Sequence, residues 1–162
     1  MSDDLKKRGH EGMLRILMDH PFLADLTGEH SNLICGCASN IRFAAGDYLL
    51  REGEPADEFY LIREGRVALE INVPGRPGLT FQTLDPGAIV GVSWLISPYK
   101  WTYDGRALED VRAISLDARC LRDKCNTDHD LGYEMMNRFV PVLVQRLQAT
   151  RLQLLDVYGQ ND

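Results

Sequence analysis

The four cysteines are the residues of this sequence with the most distinctive chemistry: Cys35, Cys37, Cys120 and Cys125. Thiols two or five positions apart do not share one face of a helix, so neither neighbouring pair forms a natural metal chelate. The N-terminus lacks the apolar core of a signal peptide, and a chain that stays in the cytoplasm keeps its thiols reduced. We expect four reduced thiols, no disulfide framework and no metal site. A redox role and metal binding are the alternatives.

The histidines and one acidic cluster are the other residues whose side chains could support a functional site. The histidines have no nucleophile or carboxylate spaced for a triad, and their positions near predicted helix ends suit capping or surface roles: His10, His20, His30 and His129. A cluster of four acidic residues suggests a cation site, but it falls on a turn-rich stretch, where a solvated face is expected: Glu52, Glu54, Asp57 and Glu58. We therefore predict no catalytic residue and expect that the protein is not an enzyme.

The bulk composition is that of one folded domain. The chain has 162 residues, of which 44% are hydrophobic and 26% are charged. Its formal net charge of -6 disfavours a main role in coating nucleic acid or an anionic membrane. No run approaches the roughly 18 apolar residues of a membrane span. We expect a single domain over residues 1–162 that is cytoplasmic and has no membrane partner.

Three local patterns follow one another along the chain. Residues 1–40 have the character of short helices, residues 41–117 contain short β runs separated by Gly and Pro turns, and residues 118–158 return to helix. The β runs are Ile41–Phe43, Tyr48–Arg51, Glu58–Arg63, Arg66–Val73, Leu79–Leu84, Trp101–Ala107 and Arg112–Leu116. Alternating apolar residues on both sides of Glu64-Gly65 predict a hairpin there. The fold class is α+β, mainly β and antiparallel.

The C-terminal region carries a helix with a heptad pattern. Asp117 is placed to cap a short helix over Ala118–Cys125, and a longer helix starts near Asn126 to Asp128. Apolar or small residues then recur at intervals of four and three: Met136, Val140, Leu143, Leu147, Thr150, Leu154 and Val157.

Two environments are open to this long helix. Packing on the chain's own β domain suits its N-terminal half, where Leu131, Phe139 and Val142 are also apolar. In the C-terminal half, polar residues that include Arg146 surround a narrower stripe. We predict a parallel homodimer through this dimer helix, formed by Leu143, Leu147, Thr150, Leu154 and Val157.

Residues 46–67 carry the most specific motif, with turn glycines at Gly46, Gly53 and Gly65. This segment, together with the order of short helices, β runs and a long helix, resembles the cyclic nucleotide-binding domain family. That family includes the sensor half of the catabolite activator protein and the regulatory subunits of protein kinase A. The resemblance extends more weakly from about Phe22 to Tyr158. It implies an antiparallel double-stranded β-helix, a jelly-roll-like β-roll, with N-terminal helices and a long C-terminal helix.

In that family a phosphate cassette lies between two strands, where a Gly-Glu pair and an Arg hold the ligand. The corresponding segment here is 87–102. Gly91 matches the family's glycine. Val92 occupies the position of the family's ribose-binding glutamate, and Trp101 occupies the position of its phosphate-binding arginine. Ser93, Lys100 and Thr102 would supply polar contacts, with Trp94, Tyr99 and Trp101 as an apolar wall. The candidate ligand-contacting residues are Gly91, Val92, Ser93, Trp94, Lys100, Trp101 and Thr102.

The resemblance implies a stand-alone sensor or regulatory module that signals to a protein partner through its dimerising C-terminal helix. Its ligand would be cyclic AMP, cyclic GMP, another nucleotide or a small anion. The resemblance does not assign any of these as a definite cofactor. The alternative is a ligand-free protein-interaction module with a degenerate pocket. The chain stops four residues after Tyr158, so we expect no helix-turn-helix domain and no direct DNA binding.

Overall fold

The computed structural model describes residues 2–159, in which four α-helices and eight β-strands are present. The helices are α1 (Ser2–Asp19), α2 (Gly28–Cys35), α3 (Ala118–Thr127) and α4 (His129–Gly159), with 3₁₀ turns at Pro21–Leu23 and Ser93–Leu95. The strands are β1 (Ala38–Phe43), β2 (Tyr48–Leu50), β3 (Glu58–Glu64), β4 (Val67–Ile71), β5 (Leu79–Leu84), β6 (Ile89–Val90), β7 (Asp104–Ala107) and β8 (Val111–Asp117). The helix, β and helix regions predicted from the sequence therefore succeed one another as expected.

The strands form two four-stranded antiparallel sheets, with orders β1-β8-β3-β6 and β2-β7-β4-β5. Phe59, Leu61, Leu69 and Ile114 are completely buried in the core of this roll. In β3, four consecutive residues are buried, so both faces of that strand are covered. The predicted antiparallel β-roll with N-terminal helices and a long C-terminal helix is confirmed.

The predicted hairpin across Glu64-Gly65 is wrong. Strand β3 pairs with β6 and β8, whereas β4 pairs with β5 and β7, so the turn carries the chain from one sheet to the other. Gly65 has φ +89°, and a Cβ there would lie 2.4 Å from the carbonyl oxygen of Asp110. Alternation along two runs shows that each has a buried face, but it does not identify the strand that lies beside it.

Several element boundaries also differ from the sequence prediction. Strand β1 begins at Ala38 rather than at Ile41, and β7 begins at Asp104 rather than at Trp101. The two-residue strand β6 lies inside the predicted cassette and was not expected. Its pairing with β3, Tyr60 to Val90 and Leu61 to Ile89, comes from a distant part of the chain.

Two aspartates begin the C-terminal helices. Asp117 Oδ1 accepts a hydrogen bond from the Cys120 amide at 3.0 Å, which confirms the predicted N-cap of α3. Asp128 Oδ1 accepts a hydrogen bond from the Leu131 amide at 3.1 Å at the start of α4. Short polar side chains therefore satisfy free amides where each helix starts.

The cysteines correct the expectation of four reduced thiols. Cys37 and Cys120 form a disulfide, with their Cα atoms 5.8 Å apart and a sequence separation of 83. Pairing of β1 with β8 brings them together, because the Asp117 amide donates to the Cys37 carbonyl at 2.9 Å. Cys35 and Cys125 are free. Burial raises the pKa of both free thiols.

Membrane-spanning helices and metal-binding clusters are both absent from residues 2–159. None of the helices in that range combines the length and the apolar character that a membrane crossing needs. Across the same residues, no cluster of three or more His, Cys, Asp or Glu side chains is arranged to hold a metal ion.

Candidate functional site

The cassette segment, residues 87–102, contains β6 and ends before β7, and it is supported by the chain that follows β2. Gly91 follows β6, and the 3₁₀ turn Ser93–Leu95 comes next. Further along, the Trp101 amide donates to the Glu54 carbonyl at 3.0 Å, and the Gly53 amide donates to the Trp101 carbonyl at 2.8 Å. These bonds hold the backbone of residue 101 in one position.

The Trp101 side chain lies directly on the backbone of Gly91. Gly91 has φ +105°, and a Cβ built there would lie 2.6 and 2.8 Å from two atoms of the Trp101 ring. Only 5% of Trp101 is exposed. The space beside Gly91 is therefore occupied by an uncharged indole of the protein itself.

Trp94 is a core residue that joins the cassette to α4. It is completely buried, and its ring stacks on Phe59 with centroids 4.5 Å apart and an interplanar angle of 6°. The edge of Phe139 from α4 lies against it, with centroids 5.3 Å apart. Its Nε1 has no hydrogen-bond partner among the described residues.

The remaining predicted cassette residues are more accessible. Val92 and Ser93 are half-buried, and Val92 precedes the 3₁₀ turn without making a side-chain cap. Lys100 and Thr102 are exposed on either side of the buried Trp101. At this point of the chain the Trp101 ring is buried, whereas the polar side chains on either side of it are exposed.

Arg146 of α4 reaches the same part of the roll. Its Nη1 donates to the Tyr103 hydroxyl at 3.4 Å, and its Nη2 donates to the carbonyl of Ile89 in β6. Burial lowers the pKa of the Arg146 guanidinium and raises the pKa of the Tyr103 phenol. This contact was not predicted from the sequence, in which Arg146 is one of the polar residues around the stripe. Its spacing of four from Val142 and three from Ala149 is the signal that places it on their face.

The five predicted dimer-helix residues lie on the exposed surface of α4: Leu143, Leu147, Thr150, Leu154 and Val157. The roll-facing residues Val142, Arg146 and Ala149 are all half-buried. Near the end of this face, Gln153 donates a hydrogen bond to the Phe81 carbonyl of β5. The C-terminal half of α4 therefore has one face on the roll and one apolar face in solvent.

A cavity of about 270 Å³ lies between the cassette and the α3–α4 pair, with Trp94, Tyr99, Arg122, His129 and Met136 among its lining residues. The Arg122 guanidinium carbon lies 4.2 Å from the centre of the Tyr99 ring. Its Nη1 donates to the carbonyls of Trp94 at 2.8 Å and Ala56 at 3.3 Å. A cation stacked on an aromatic ring is suited to a planar anion.

Comparison with known proteins identifies the family. The family model described as the cyclic nucleotide-binding domain matches residues 40–128, more than half of the chain. The chain belongs to the cyclic nucleotide-binding domain family. The match covers the β-roll, the cassette and α3 of this cyclic nucleotide-binding domain.

Curated relatives are longer than this domain. Cyclic nucleotide-gated ion channel 18 of Arabidopsis thaliana is 29% identical over 143 residues, which are 82% of this chain and 18% of the channel. The CRP-like cAMP-activated global transcriptional regulator of Mycobacterium tuberculosis is 28% identical over 118 residues, which are 72% of this chain and 50% of the regulator. The chain thus spans half or less of the length of these two relatives.

Solved structures show the same fold. A protein from Geobacter metallireducens described as a cyclic nucleotide-binding protein has a TM-score of 0.73 and 31% identity, covering 82% of this chain and 96% of its own. The regulatory subunit of a cAMP-independent protein kinase A from Trypanosoma brucei has a TM-score of 0.68 and 21% identity, covering 93% of this chain and 52% of its own. The second match supports the fold alone.

Proposed function

We propose that this cyclic nucleotide-binding domain is a non-enzymatic regulatory module that does not hold a cyclic phosphate in its cassette and acts through self-association of α4. The observation that carries the proposal is the burial of Trp101 against Gly91. We infer a cytoplasmic homodimer that acts on a protein partner rather than on DNA or a membrane.

The chemistry of the cassette argues against a cyclic phosphate. A phosphate needs charge-assisted donors, and the position of the family's arginine carries an indole instead. Val92 has no acceptor for a ribose hydroxyl, and Lys100 is exposed beside the buried ring. The cassette therefore lacks both polar contacts that the family pattern would supply.

The free energy needed to move the Trp101 ring out of the cassette also argues against a bound cyclic phosphate. Moving the Trp101 ring into water would expose on the order of 200 Å² of apolar surface, which costs about 5 kcal/mol. One charge-assisted hydrogen bond to a phosphate returns only about 1.5–3 kcal/mol. Displacement of the indole by a ligand is thus unfavourable unless several new contacts form together.

The contacts of α4 support its part in the proposal. Arg146 and Gln153 attach the helix to carbonyls of β6 and β5. Leu147, Leu154 and Val157 remain 52%, 54% and 59% exposed on the same helix. A stripe of this kind at heptad spacing is stabilised when a second helix covers it, which favours a homodimer over an isolated chain.

Thermal unfolding with millimolar cyclic AMP or cyclic GMP tests the proposal. We expect no change in the unfolding midpoint of the wild-type domain. The matched variant replaces Val92→Glu and Trp101→Arg, which restores the family pattern, and is expected to respond to nucleotide. A ligand at 100 times its dissociation constant adds about 2.7 kcal/mol, or a shift of about 5–10 °C for a chain of this size. A shift of that size in the wild type would contradict the proposal.

The cavity beside the cassette favours a second candidate, a sensor of a small planar anion. The stacked pair of Arg122 and Tyr99 is the observation that supports it. Benzoate and nicotinate, two planar aromatic carboxylates, are suitable probes in the same thermal assay. A stabilisation that is present in the wild type and lost in Tyr99→Ala would favour this sensor, whereas equal midpoints with and without both probes would favour the ligand-free module.

A further inference from the structure

The disulfide between Cys37 and Cys120 joins the start of β1 to the first turn of α3. We propose that this pair is a reversible redox modification site, which ties α3 covalently to the β-roll when oxidised and leaves α3 more mobile, held by noncovalent contacts alone, when reduced. The proposed function uses neither cysteine. The redox reaction and the increased mobility of α3 are independent of the proposed function, whereas any effect on α4 self-association rests on it.

The surrounding backbone keeps the two cysteines together without the sulfur-sulfur bond. Ala38 is paired with Leu116, and the Asp117 amide donates to the Cys37 carbonyl at 2.9 Å. On the same side of the molecule, Lys124 Nζ of α3 donates to the Leu33 carbonyl of α2 at 2.6 Å. After reduction the thiols remain neighbours, so the disulfide can form again as an intramolecular reaction.

The four cysteines differ in how easily they react. Cys120 is half-buried, whereas Cys37 is only 7% exposed, so an external thiol or disulfide reaches the Cys120 sulfur first. Cys35 and Cys125 have thiol pKa values raised by burial, so they stay protonated and are poor nucleophiles near neutral pH. The Cys37–Cys120 pair is therefore selected by the position of the two cysteines beside each other, since Cys125 is half-buried like Cys120 but does not form a disulfide.

The oxidant is a low-molecular-weight disulfide such as oxidised glutathione. The Cys120 thiolate attacks one of its sulfurs, forms a mixed disulfide and releases one glutathione thiolate. The Cys37 thiolate then attacks the Cys120 sulfur and releases the second. The two protein thiols lose two electrons, the glutathione disulfide gains them, and the two thiol protons end on the two glutathione molecules. Reduction is the reverse reaction.

The position of Cys120 determines what the bond restrains. It is the third residue of α3, a helix of ten residues that is continued by α4 after Asp128. The two helices pack closely, because a Cβ at Gly132 of α4 would lie 3.3 Å from the carbonyl oxygen of Cys125. Loss of the covalent bond leaves the first turn of α3 held by noncovalent contacts: its Asp117 cap, packing, and Asp57, whose carbonyl accepts from the Ala118 amide at 2.8 Å and whose Oδ1 accepts from Arg119 Nε at 3.1 Å.

The test equilibrates the full chain in glutathione buffers of increasing oxidised fraction, followed by acid quenching, alkylation under denaturing conditions and mass spectrometry. Cys37 and Cys120 are expected to lose alkylation together at one midpoint, while Cys35 and Cys125 stay fully alkylated. Reduction is expected to speed amide exchange in α3 by about tenfold or more and to lower the thermal midpoint by roughly 10 °C.

In every buffer, the variants Cys37→Ser and Cys120→Ser should each show the same fast amide hydrogen exchange in α3 as the reduced wild-type protein. Cys35→Ser and Cys125→Ser are the matched controls and should keep the response of the wild type. The proposal is overturned if Cys37 and Cys120 remain alkylated in the most oxidising buffer, if they remain oxidised in reduced glutathione, or if α3 exchanges equally fast in both states. Sedimentation of both states is read separately, since a monomer in both would contradict only the dimer of the proposed function.

Discussion

The two halves of α4 have similar apolar content but opposite environments. In the N-terminal half, Leu131, Met135 and Phe139 are buried, and the Phe139 ring lies against Phe59 and Trp94 with centroids 5.6 and 5.3 Å apart. In the C-terminal half, the leucines and valines of the heptad stripe are exposed. One helix therefore contributes buried residues to the core along its N-terminal half, while the leucines and valines of its C-terminal half are exposed.

The difference comes from what the roll places opposite each half. The cassette and β3 present aromatic rings to the N-terminal half, and these bury its apolar face. The C-terminal half meets the backbone carbonyls of Ile89 and Phe81, which accept hydrogen bonds from Arg146 and Gln153. Arg146 and Gln153 share the face against the roll with the small or half-buried apolar residues Val142 and Ala149, whereas the leucines and valines of the stripe are left on the outside.

The largest expected effect is the loss of Phe139. Phe139→Ala removes a completely buried ring and should lower the free energy of unfolding by about 3–5 kcal/mol, measured by urea denaturation. Leu152→Ala is the control in the other half, where the side chain is 63% exposed, and should change stability by less than about 0.5 kcal/mol. An equal decrease in the free energy of unfolding in the two variants would contradict the claim that only the N-terminal half of α4 contributes to the core.

A charged substitution in the exposed apolar stripe of α4 tests whether this stripe forms the dimer interface. Leu147→Asp places a carboxylate in the predicted dimer seam and should raise the dimer dissociation constant by about 100-fold or more, equivalent to about 2.7 kcal/mol, in sedimentation velocity runs. Leu152→Asp carries the same charge on the same helix outside the seam and should leave the dimer intact. A wild-type protein that sediments only as a monomer at micromolar concentration would contradict the dimer.

The contact of Arg146 with the roll has an intermediate expected effect. Arg146→Met keeps the aliphatic stem but leaves the Ile89 carbonyl and the Tyr103 hydroxyl without their donor, so stability should fall by about 1–3 kcal/mol. Arg151→Met, on an exposed position of the same helix, should change stability by less than about 0.5 kcal/mol. If calorimetry shows no difference between the two, the C-terminal half does not depend on this contact.

The smallest expected effect is a dependence of the free energy of unfolding on pH, caused by the buried imidazole of His20. His20 is buried and bonds to the Ile62 carbonyl, and burial lowers the pKa of its imidazole below the usual 6.5. The folded state therefore favours the neutral ring. The stabilisation is complete above the ordinary pKa and is lost as the pH falls through the lowered folded pKa. The free energy of unfolding, followed from pH 8 to pH 5, should decline less in His20→Asn than in the wild type, and parallel curves would refute this assignment.

Local patterns in the sequence determined much of the scaffold. The β runs lie within about three residues of the strands, Asp117 caps α3 as predicted, and the glycines at 46, 53 and 65 all have positive φ. These features depend on backbone sterics and on the period of apolar residues, which are properties of short segments. The family resemblance follows from the same segments.

Tertiary structure alone decided the pairings between distant residues. The antiparallel pairing of β1 and β8 places Cys37 beside Cys120, and the path of the cassette places the Trp101 ring on Gly91. The partner strands of β3 and the bond from Arg146 to Ile89 were decided in the same way. A periodic pattern shows which face of a segment is apolar, but only the packed chain shows which distant residue lies against it.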